Sequence, residues 1–345
     1  MKRDYGIDLL KMVAMMMIVA HHILLGGGVE TKLSETGGGC YFLQVFHCFC
    51  YCAVDCFVMA TGYIMCRHVF KYARIFKLWR QVVGYSLVLA VIAWIVLPAG
   101  SVGWRDWVGT AMPITFNRYW FFTEYVALFF SIPFLNKMLS VLTNRERNVL
   151  MASGFGILSA LPFFAGSDLF IIQWGYSYVW FLYLYVLGAC LALGDVKKGM
   201  ATGWLLTALI VGVLGSAGGA IMGPILTARF GGGARVAELA YSYASPTLLL
   251  EAVALLLLFA KIDLRNERIQ KVIGSVAPSI FVVYIVHSNP LFRRLTEWKT
   301  CFHGLVDFGE WGVIGGTIVL SILIFTVIVF VDILRRWVLS RLWKW

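Results

Sequence analysis

Charged residues are scarce in this chain of 345 residues: they make up 14% of it, whereas 60% of its residues are hydrophobic. A soluble protein of this length needs more polar surface, and the apolar runs are too numerous for one soluble core. The composition therefore argues against an ordinary soluble enzyme and predicts an all-α, polytopic integral membrane protein.

Two kinds of short motif are also missing. The eight cysteines include no CxxC pair, and no Lys-Ser or Lys-Thr follows the glycine clusters at 26–28, 37–39 and 231–233. We therefore expect no metal site, and we expect the thiols near 41–66 to be buried apolar groups. A phosphate-binding P-loop is not supported either, so the glycine clusters are interpreted as flexible outer loops.

Ten apolar segments are long enough to cross a membrane, at about 20 residues each. They lie near 7–26, 41–66, 82–99, 119–136, 149–165, 170–193, 203–222, 239–260, 272–290 and 311–333. The first is interpreted as a retained helix, because it lacks the small-x-small cleavage motif of a signal peptide. We expect residues 1–345 to form a single transmembrane domain with no appended soluble domain.

The basic residues fall unevenly between these spans. If the N-terminus is cytoplasmic, that side of the membrane receives 20 Lys and Arg residues and the opposite side receives 8. This bias predicts that both termini are cytoplasmic, and we expect the protein in the inner (plasma) membrane. The net charge of +11 then indicates attraction to anionic lipid headgroups rather than to nucleic acid.

Three ionisable residues lie in the first apolar run. At about 100° per residue, an α-helix brings Asp8, Lys11 and His22 into one narrow stripe. Ionisable groups in hydrocarbon are costly and usually face a polar interior, so the stripe favours a functional site. Structural alternatives remain open: His22 could bond a neighbouring helix, Lys11 could snorkel, and Asp8 could only pair with Lys11.

A basic cluster follows the second span. It reads RHVFKYARIFKLWR from Arg67 to Arg80, with cations every three or four residues. Positive-inside anchoring is one explanation. The other is that cations stacked on one helical face bind a polyphosphate group, for which Lys71 and Arg74 are the pair to test.

Further polar residues lie within predicted spans. Asp55 could orient an imidazole or cap a bend, and Glu124 and Glu251 are also intramembrane acids. Tyr284 and His287 share a helix face because they are three residues apart. These two could shape an acceptor site, stabilise an oxyanion or form an interfacial anchor.

Six segments, taken in order, resemble the membrane-bound acyltransferase 3 family. The family's first helix is similar to YGIDLLKMVAMMMIVAHH, where an aspartate, a basic residue and, after ten intervening residues, a histidine correspond to Asp8, Lys11 and His22. Lysine stands at position 11 where the family usually has arginine. The other similar segments are VDCFVMATGYI (Asp55, Phe57, Gly62), FKYARIF (Phe70, Lys71, Arg74), YWFFTEYVALFFSIPFLN (Trp120, Phe121, Pro133, Asn136), FLYLYVLGACLAL, and IFVVYIVHSNP (Tyr284, His287).

The resemblance implies an acyl-coenzyme A dependent O-acyltransferase. Such enzymes usually move acetyl groups onto hydroxyls of surface or secreted glycans, or of their lipid-linked precursors. The expected partners are acyl-CoA as donor substrate, a carbohydrate acceptor and membrane lipid, with no nucleic acid and no permanently bound cofactor.

The same resemblance suggests roles for individual residues. His22 is the expected base, because neutral histidine is available near pH 7 to take a hydroxyl proton. The other expected residues are Asp55, Lys11 and Asp8 for catalysis, Lys71, Arg74 and Phe70 for the donor, and Tyr284, His287, Trp120 and Glu124 for the acceptor or the oxyanion.

The main alternative function is a secondary transporter or carrier of a glycan or glycolipid. It too would place intramembrane charges around a cavity. A transporter of that kind should show related halves, and the first and last five spans show no convincing repeat.

Overall fold

The structure is a computed structural model that describes residues 3–36, 40–231 and 239–342. Among these residues the regular structure is helical, without strands. The α-helices are α1 (Tyr5–His21), α2 (Val29–Ser34), α3 (Tyr41–Tyr51), α4 (Ala53–Met65), α5 (Ala73–Val96), α6 (Trp104–Ala111), α7 (Trp120–Val141), α8 (Asn144–Phe155), α9 (Leu161–Ala165), α10 (Tyr178–Leu193), α11 (Val196–Gly199), α12 (Thr202–Phe230), α13 (Pro246–Ala260), α14 (Glu267–Val276), α15 (Ile280–His287), α16 (Pro290–Leu295) and α17 (Gly309–Leu342).

The prediction of an all-α polytopic membrane protein is confirmed. Seven helical stretches are long and apolar enough to span a membrane: Tyr5–Gly26, Tyr41–Met65, Ala73–Val96, Asn144–Ala165, Thr202–Gly223, Glu267–His287 and His303–Leu342. The other three predicted spans contain α7, α10 and α13.

The span predicted from residue 170 starts too early. Residues 170–177 form a turn, because the Asp168 carboxylate accepts hydrogen bonds from the backbone N–H groups of Ile172 (2.9 Å) and Gln173 (2.8 Å). The helix itself begins at Tyr178, where the preceding Ser177 hydroxyl accepts from the backbone N–H of Trp180. Local side-chain bonding thus overrides the apolar character of the segment.

The chain divides into two compact units. Unit 1 comprises Met1–Ala14, Tyr41–Phe70 and Glu124–Leu264, and unit 2 comprises Met15–Cys40, Lys71–Thr123 and Arg265–Trp345. Several features of the sequence lie outside the described residues: the charges Lys2, Arg235 and Lys344 and the glycines at 37–39, 232 and 233. That residues 1–345 form one domain stays a prediction.

Unit 1 is held together by close helix contacts. A Cβ on Gly62 of α4 would lie 2.1 Å from the Tyr185 carbonyl oxygen on α10, and a Cβ on Gly188 would lie 2.1 Å from the Met59 carbonyl oxygen. Helix α13 packs on α4 and on α12. As expected for the cysteines, Cys48, Cys50, Cys52 and Cys56 are buried free thiols.

Unit 2 is tied together by a buried carboxylate on α17. Asp332 is fully buried and accepts hydrogen bonds from Tyr85 of α5 (2.6 Å) and from Ser279, just before α15 (2.7 Å). It also pairs with Arg335 (2.8 Å) and Arg336 (3.1 Å) one turn further along α17. The Asp332 carboxylate therefore links α5, the start of α15 and α17. Its burial is tolerated because each of its lone pairs has a partner.

Candidate active site

Two histidines meet in unit 2. His22 Nδ1 lies 2.9 Å from His287 Nε2, and the ring centroids are 5.0 Å apart. His287 is fully buried, whereas His22 is half-buried. The two residues are far apart in the sequence and are brought together only by the fold.

Both histidines lie where a helix ends. Helix α1 stops at His21, and residues His22–Gly26 form a π-helical turn, a feature often found at functional sites. Helix α15 ends at His287, because Asn289 caps the next helix by accepting from the Leu291 and Phe292 N–H groups and Pro290 fills its first position.

Hydrogen bonding fixes the proton positions in the pair. His287 Nδ1 lies 2.5 Å from the Val283 carbonyl oxygen, so this nitrogen must carry a proton. In the neutral ring Nε2 is then the acceptor, and His22 Nδ1 donates to it. The Ser288 hydroxyl, 3.4 Å from the same Nε2, can also donate. The lone pair of a neutral His22 is therefore on Nε2, which has no hydrogen-bond partner among the described residues of unit 2.

Two side chains hold the backbone of the pair. Trp298 Nε1 donates to the His22 carbonyl oxygen (3.0 Å), which also accepts from the Gly27 N–H (2.9 Å). Arg293 Nε donates to the His287 carbonyl oxygen (3.0 Å). Both residues come from the segment after α15, which the sequence reasoning did not select. The only sequence signal for them is the Asn-Pro helix start that follows His287.

The glycines at 26–28 are tightly packed, and their interpretation as a flexible loop is wrong. A Cβ on Gly27 would lie 2.7 Å from the Phe302 ring, and a Cβ on Gly28, where φ is +69°, would lie 3.0 Å from the His303 ring. Only glycine lets the backbone after His22 come this close to its neighbours. The cluster therefore serves close packing beside the histidine pair.

Tyr284 lies on the same helix as His287, with its ring centroid 6.2 Å from that of His287. It is buried and packs edge-on against Phe121 (5.5 Å). Trp120 is half-buried and contacts Phe121 (6.0 Å). The structure thus brings Tyr284 into the surroundings of the histidine pair.

Two residues of the predicted stripe, Asp8 and Lys11, lie in unit 1, and each has a partner outside the stripe. Asp8 forms an ion pair with Arg3 at 2.5 Å, so pairing with Lys11, one of the structural alternatives, is not what the structure shows. The Lys11 ammonium lies 5.6 Å from the centroid of the Phe57 ring, in a cation–π arrangement. Arg3 can reach Asp8 because Arg3 precedes α1, so the spacing of residues in the helix does not fix its position.

Two acids are buried in unit 1. Asp55 accepts from the Trp180 indole (3.1 Å) and Glu251 accepts from the Ser216 hydroxyl (2.7 Å). Both are fully buried, and each keeps one oxygen, Oδ2 or Oε2, without a hydrogen-bond partner. Asp55 lies in the first turn of α4, where the helix dipole favours a carboxylate. The third acid, Glu124, is half-buried in α7.

The basic cluster does not form one helical face. Helix α4 ends at Met65 and α5 begins at Ala73, so residues 66–72, Lys71 included, form a connection. Arg67 donates to the Ala192 carbonyl at the end of α10. If α4 and α5 were one continuous helix, the Arg67 side chain would point elsewhere. Lys71 and Arg74 are exposed in unit 2, whereas Phe70 belongs to unit 1 and packs on Phe129 (4.7 Å).

Each unit contains a cavity lined by polar residues. The one in unit 2 measures about 570 Å³ and borders Gly26, Arg293 and Trp298. The one in unit 1 measures about 250 Å³ and borders Arg3, Asp8, Tyr63, Arg67 and His68. In the part of the chain that the structure describes, no three His, Cys, Asp or Glu residues are arranged to hold a metal ion.

Comparison with known proteins identifies a family. A family model described as an acyltransferase domain, that of the acyltransferase 3 type, matches residues 4–334. No curated protein and no solved structure matches the chain.

Proposed function

The chain belongs to the acyltransferase 3 family, and from this membership we propose that it is a membrane-bound O-acyltransferase acting on a glycan. The group transferred is acetyl, from acetyl-CoA, and the acceptor is a hydroxyl of a surface or secreted glycan or of its lipid-linked precursor. The observation that carries the proposal is the contact of 2.9 Å between His22 and His287.

His22 acts as the general base in this proposal. A sugar hydroxyl is a weak nucleophile until a base takes its proton, and Nε2 of His22 offers a lone pair for that step. The oxygen then attacks the thioester carbonyl, the C–O bond forms and the C–S bond breaks. The proton passes from His22 to the leaving thiolate, so the products are the O-acyl ester and coenzyme A.

His287 is a positioning residue in the same scheme. Its Nε2 accepts the hydrogen bond from His22 Nδ1, so it orients the imidazole and keeps this hydrogen bond as charge develops on His22, as the third member of a triad does without taking the proton. Tyr284 packs beside it and helps to shape the acceptor site. Trp120 of unit 2 and Glu124 of unit 1 are each proposed as candidates for acceptor contacts.

Asp55, Lys11 and Asp8 are proposed to have supporting roles within unit 1. The position of Asp55 in the first turn of α4 and its bond to Trp180 favour a role in holding the start of that helix. Lys11 and Asp8 are more suited to donor contacts or structural support than to proton transfer, because each already has a partner.

Lys71 and Arg74 of unit 2 are proposed to bind the donor, and Phe70 is a separate candidate for a donor contact within unit 1. Both cations are exposed, and phosphates such as those of acetyl-CoA attract cationic side chains. Within unit 1, the basic residues Arg67 and His68 border the polar cavity of that unit. We propose that Lys71 and Arg74 lie on the cytoplasmic side of the inner membrane, together with both termini. The basic residues of the loops concentrate on that side.

The enzyme and the transporter proposals differ in one reaction. Given acetyl-CoA alone, the purified protein in nanodiscs should release free coenzyme A slowly, by hydrolysis in which water takes the place of the sugar hydroxyl and carries away the acetyl group as acetate, which a transporter would not do. The double variant Lys71→Ala/Arg74→Ala should raise the apparent KM for acetyl-CoA about tenfold at similar kcat, because it removes two charge contacts to the phosphates.

Lys77→Ala is the matched control, since Lys77 is also exposed on α5 and should leave the KM unchanged. Absence of coenzyme A release by demonstrably folded protein would favour the transporter. An unchanged KM in the double variant would rule out the proposed donor site.

A further inference from the structure

The cavity in unit 2 opens beside the histidine pair. Its volume is about 570 Å³, enough for a sugar residue with its neighbour. Two of its lining residues, Trp298 and Arg293, are the ones that bond the backbone carbonyls of His22 and His287. A group bound in this cavity would therefore lie next to the elements that hold the base.

Positive charge dominates the lining. Arg293, Arg294 and Lys299 contribute cations, and Glu297 contributes the one acid among the lining residues. Arg294 pairs with Asp106 at 3.1 Å, and this carboxylate is shared with Arg118 at 3.8 Å. Arg293 and Lys299 form no ion pair with an acid among the described residues of unit 2, so the lining keeps a net positive charge even when Glu297 is counted.

Arg293 is built into the cavity wall. Its guanidinium lies 5.7 Å from the centroid of the Trp298 ring and beside Gly26, where a Cβ would come within 3.7 Å of Nη1. Burial lowers the pKa of this guanidinium, yet arginine starts so high that it stays charged at neutral pH. A half-buried cation without a counter-ion is costly and is stabilised by a bound anion.

The backbone of the lining segment is also strained. Glu297 has a φ of +50°, in the left-handed region that non-glycine residues rarely adopt. The turn is closed by hydrogen bonds from Trp298 N–H to the Arg293 carbonyl (2.9 Å) and from Thr300 N–H to the Glu297 carbonyl (2.8 Å). Strain of this kind is retained where it positions functional side chains, here Trp298 and Lys299 on the same cavity.

We infer that this cavity binds an anionic group of the acceptor, a carboxylate or phosphate carried by the glycan that receives the acyl group. The inference rests on the proposed function and specifies its substrate class. The fork of Arg293 and the point charge of Lys299 suit an oxyanion, and binding it there would hold a neighbouring sugar hydroxyl near His22.

Direct binding tests this assignment without any turnover. The protein in nanodiscs of neutral lipid is titrated with a galacturonic acid trisaccharide and, separately, with its uncharged methyl ester. We expect tighter binding of the acid form, a preference that weakens as salt is added because the charges are screened. Lys299→Gln should reduce the preference about fivefold, and Lys299→Glu should abolish it.

Lys32→Gln is the matched control, because Lys32 is an exposed lysine of unit 2 outside the cavity and its loss should change nothing. Lys299 is itself exposed, so its variants should fold, as thermal unfolding will verify. Equal binding of acid and ester, or an acid preference that survives Lys299→Glu, would overturn the inference.

The last binding measurement is competition between coenzyme A and the trisaccharide. Displacement of the trisaccharide by coenzyme A, lost in Lys299→Glu, would assign the cavity to the donor and overturn the inference as well. The proposed function is tested separately, by measuring the release of coenzyme A when acetyl-CoA alone is supplied. Release without acid preference would therefore reject only the acceptor class.

Discussion

At the scale of single residues, the two histidines of the pair are not equivalent. The Val283 carbonyl orients His287, and His287 orients His22, so only His22 keeps a ring nitrogen available to a substrate. A base held in this way needs no reorganisation before it accepts a proton. The positions of the two residues in the hydrogen-bond chain, rather than residue type, decide their roles.

Removal of His287 should lower kcat without changing donor binding. We expect His287→Ala to reduce kcat about a hundredfold, because the His22 ring loses the acceptor that fixes its orientation. The apparent KM for acetyl-CoA should stay the same. His287→Gln should recover part of the activity, since its amide oxygen can accept from His22 Nδ1.

The comparison for this prediction is His303→Ala, which removes another histidine of unit 2 and should retain activity. Steady-state kinetics on the four proteins gives the result. Wild-type kcat in His287→Ala would exclude the positioning role.

The residues of the pair could be predicted singly but not as a pair. Spacing within the first helix selects His22, and the late motif selects His287. Their contact joins positions 265 residues apart, and no local pattern encodes such a distance. The sequence does contain a hint in the three glycines after His22, which permit the close approach of residues 298–303.

At the scale of helices, the contact between α4 and α10 depends on two glycines. Gly62 and Gly188 each face a backbone carbonyl of the other helix, and small residues allow this approach in membrane proteins. We expect Gly188→Ala to destabilise the protein by about 2 kcal/mol, because the new Cβ must push the helices apart. Thermal unfolding in detergent measures the loss.

Gly218→Ala tests whether the effect is specific to the contact. Gly218 lies within α12, and a Cβ there would meet no atom within 4 Å. This substitution should leave the unfolding temperature unchanged or raise it, since alanine favours a helix. Equal stability of wild type and Gly188→Ala would show that the two helices do not need the close approach.

Hydropathy predicts which segments are helical, but it does not predict where each helix stops. The ten apolar runs all contain helices, because hydrocarbon leaves the backbone few other ways to satisfy its hydrogen bonds. The turn at 170–177 and the connection at 66–72 were missed since each depends on a side chain, Asp168 or Arg67, that bonds the backbone.

At the scale of the whole molecule, composition is enough to predict an all-α membrane protein, and motif order is enough to predict the family. The division into two units is not predictable in the same way. Each unit is built from three separate stretches of chain, so it depends on long-range packing rather than on any local pattern. The histidine pair and its cavity are products of that packing within unit 2.

The most direct test of the account compares coenzyme A release from acetyl-CoA by purified wild-type protein and by His22→Ala. If Nε2 of His22 is the base, the variant should fold and bind acetyl-CoA as the wild type does, yet release coenzyme A at least about a hundredfold more slowly. Undiminished release by the His22→Ala protein would contradict the central claim.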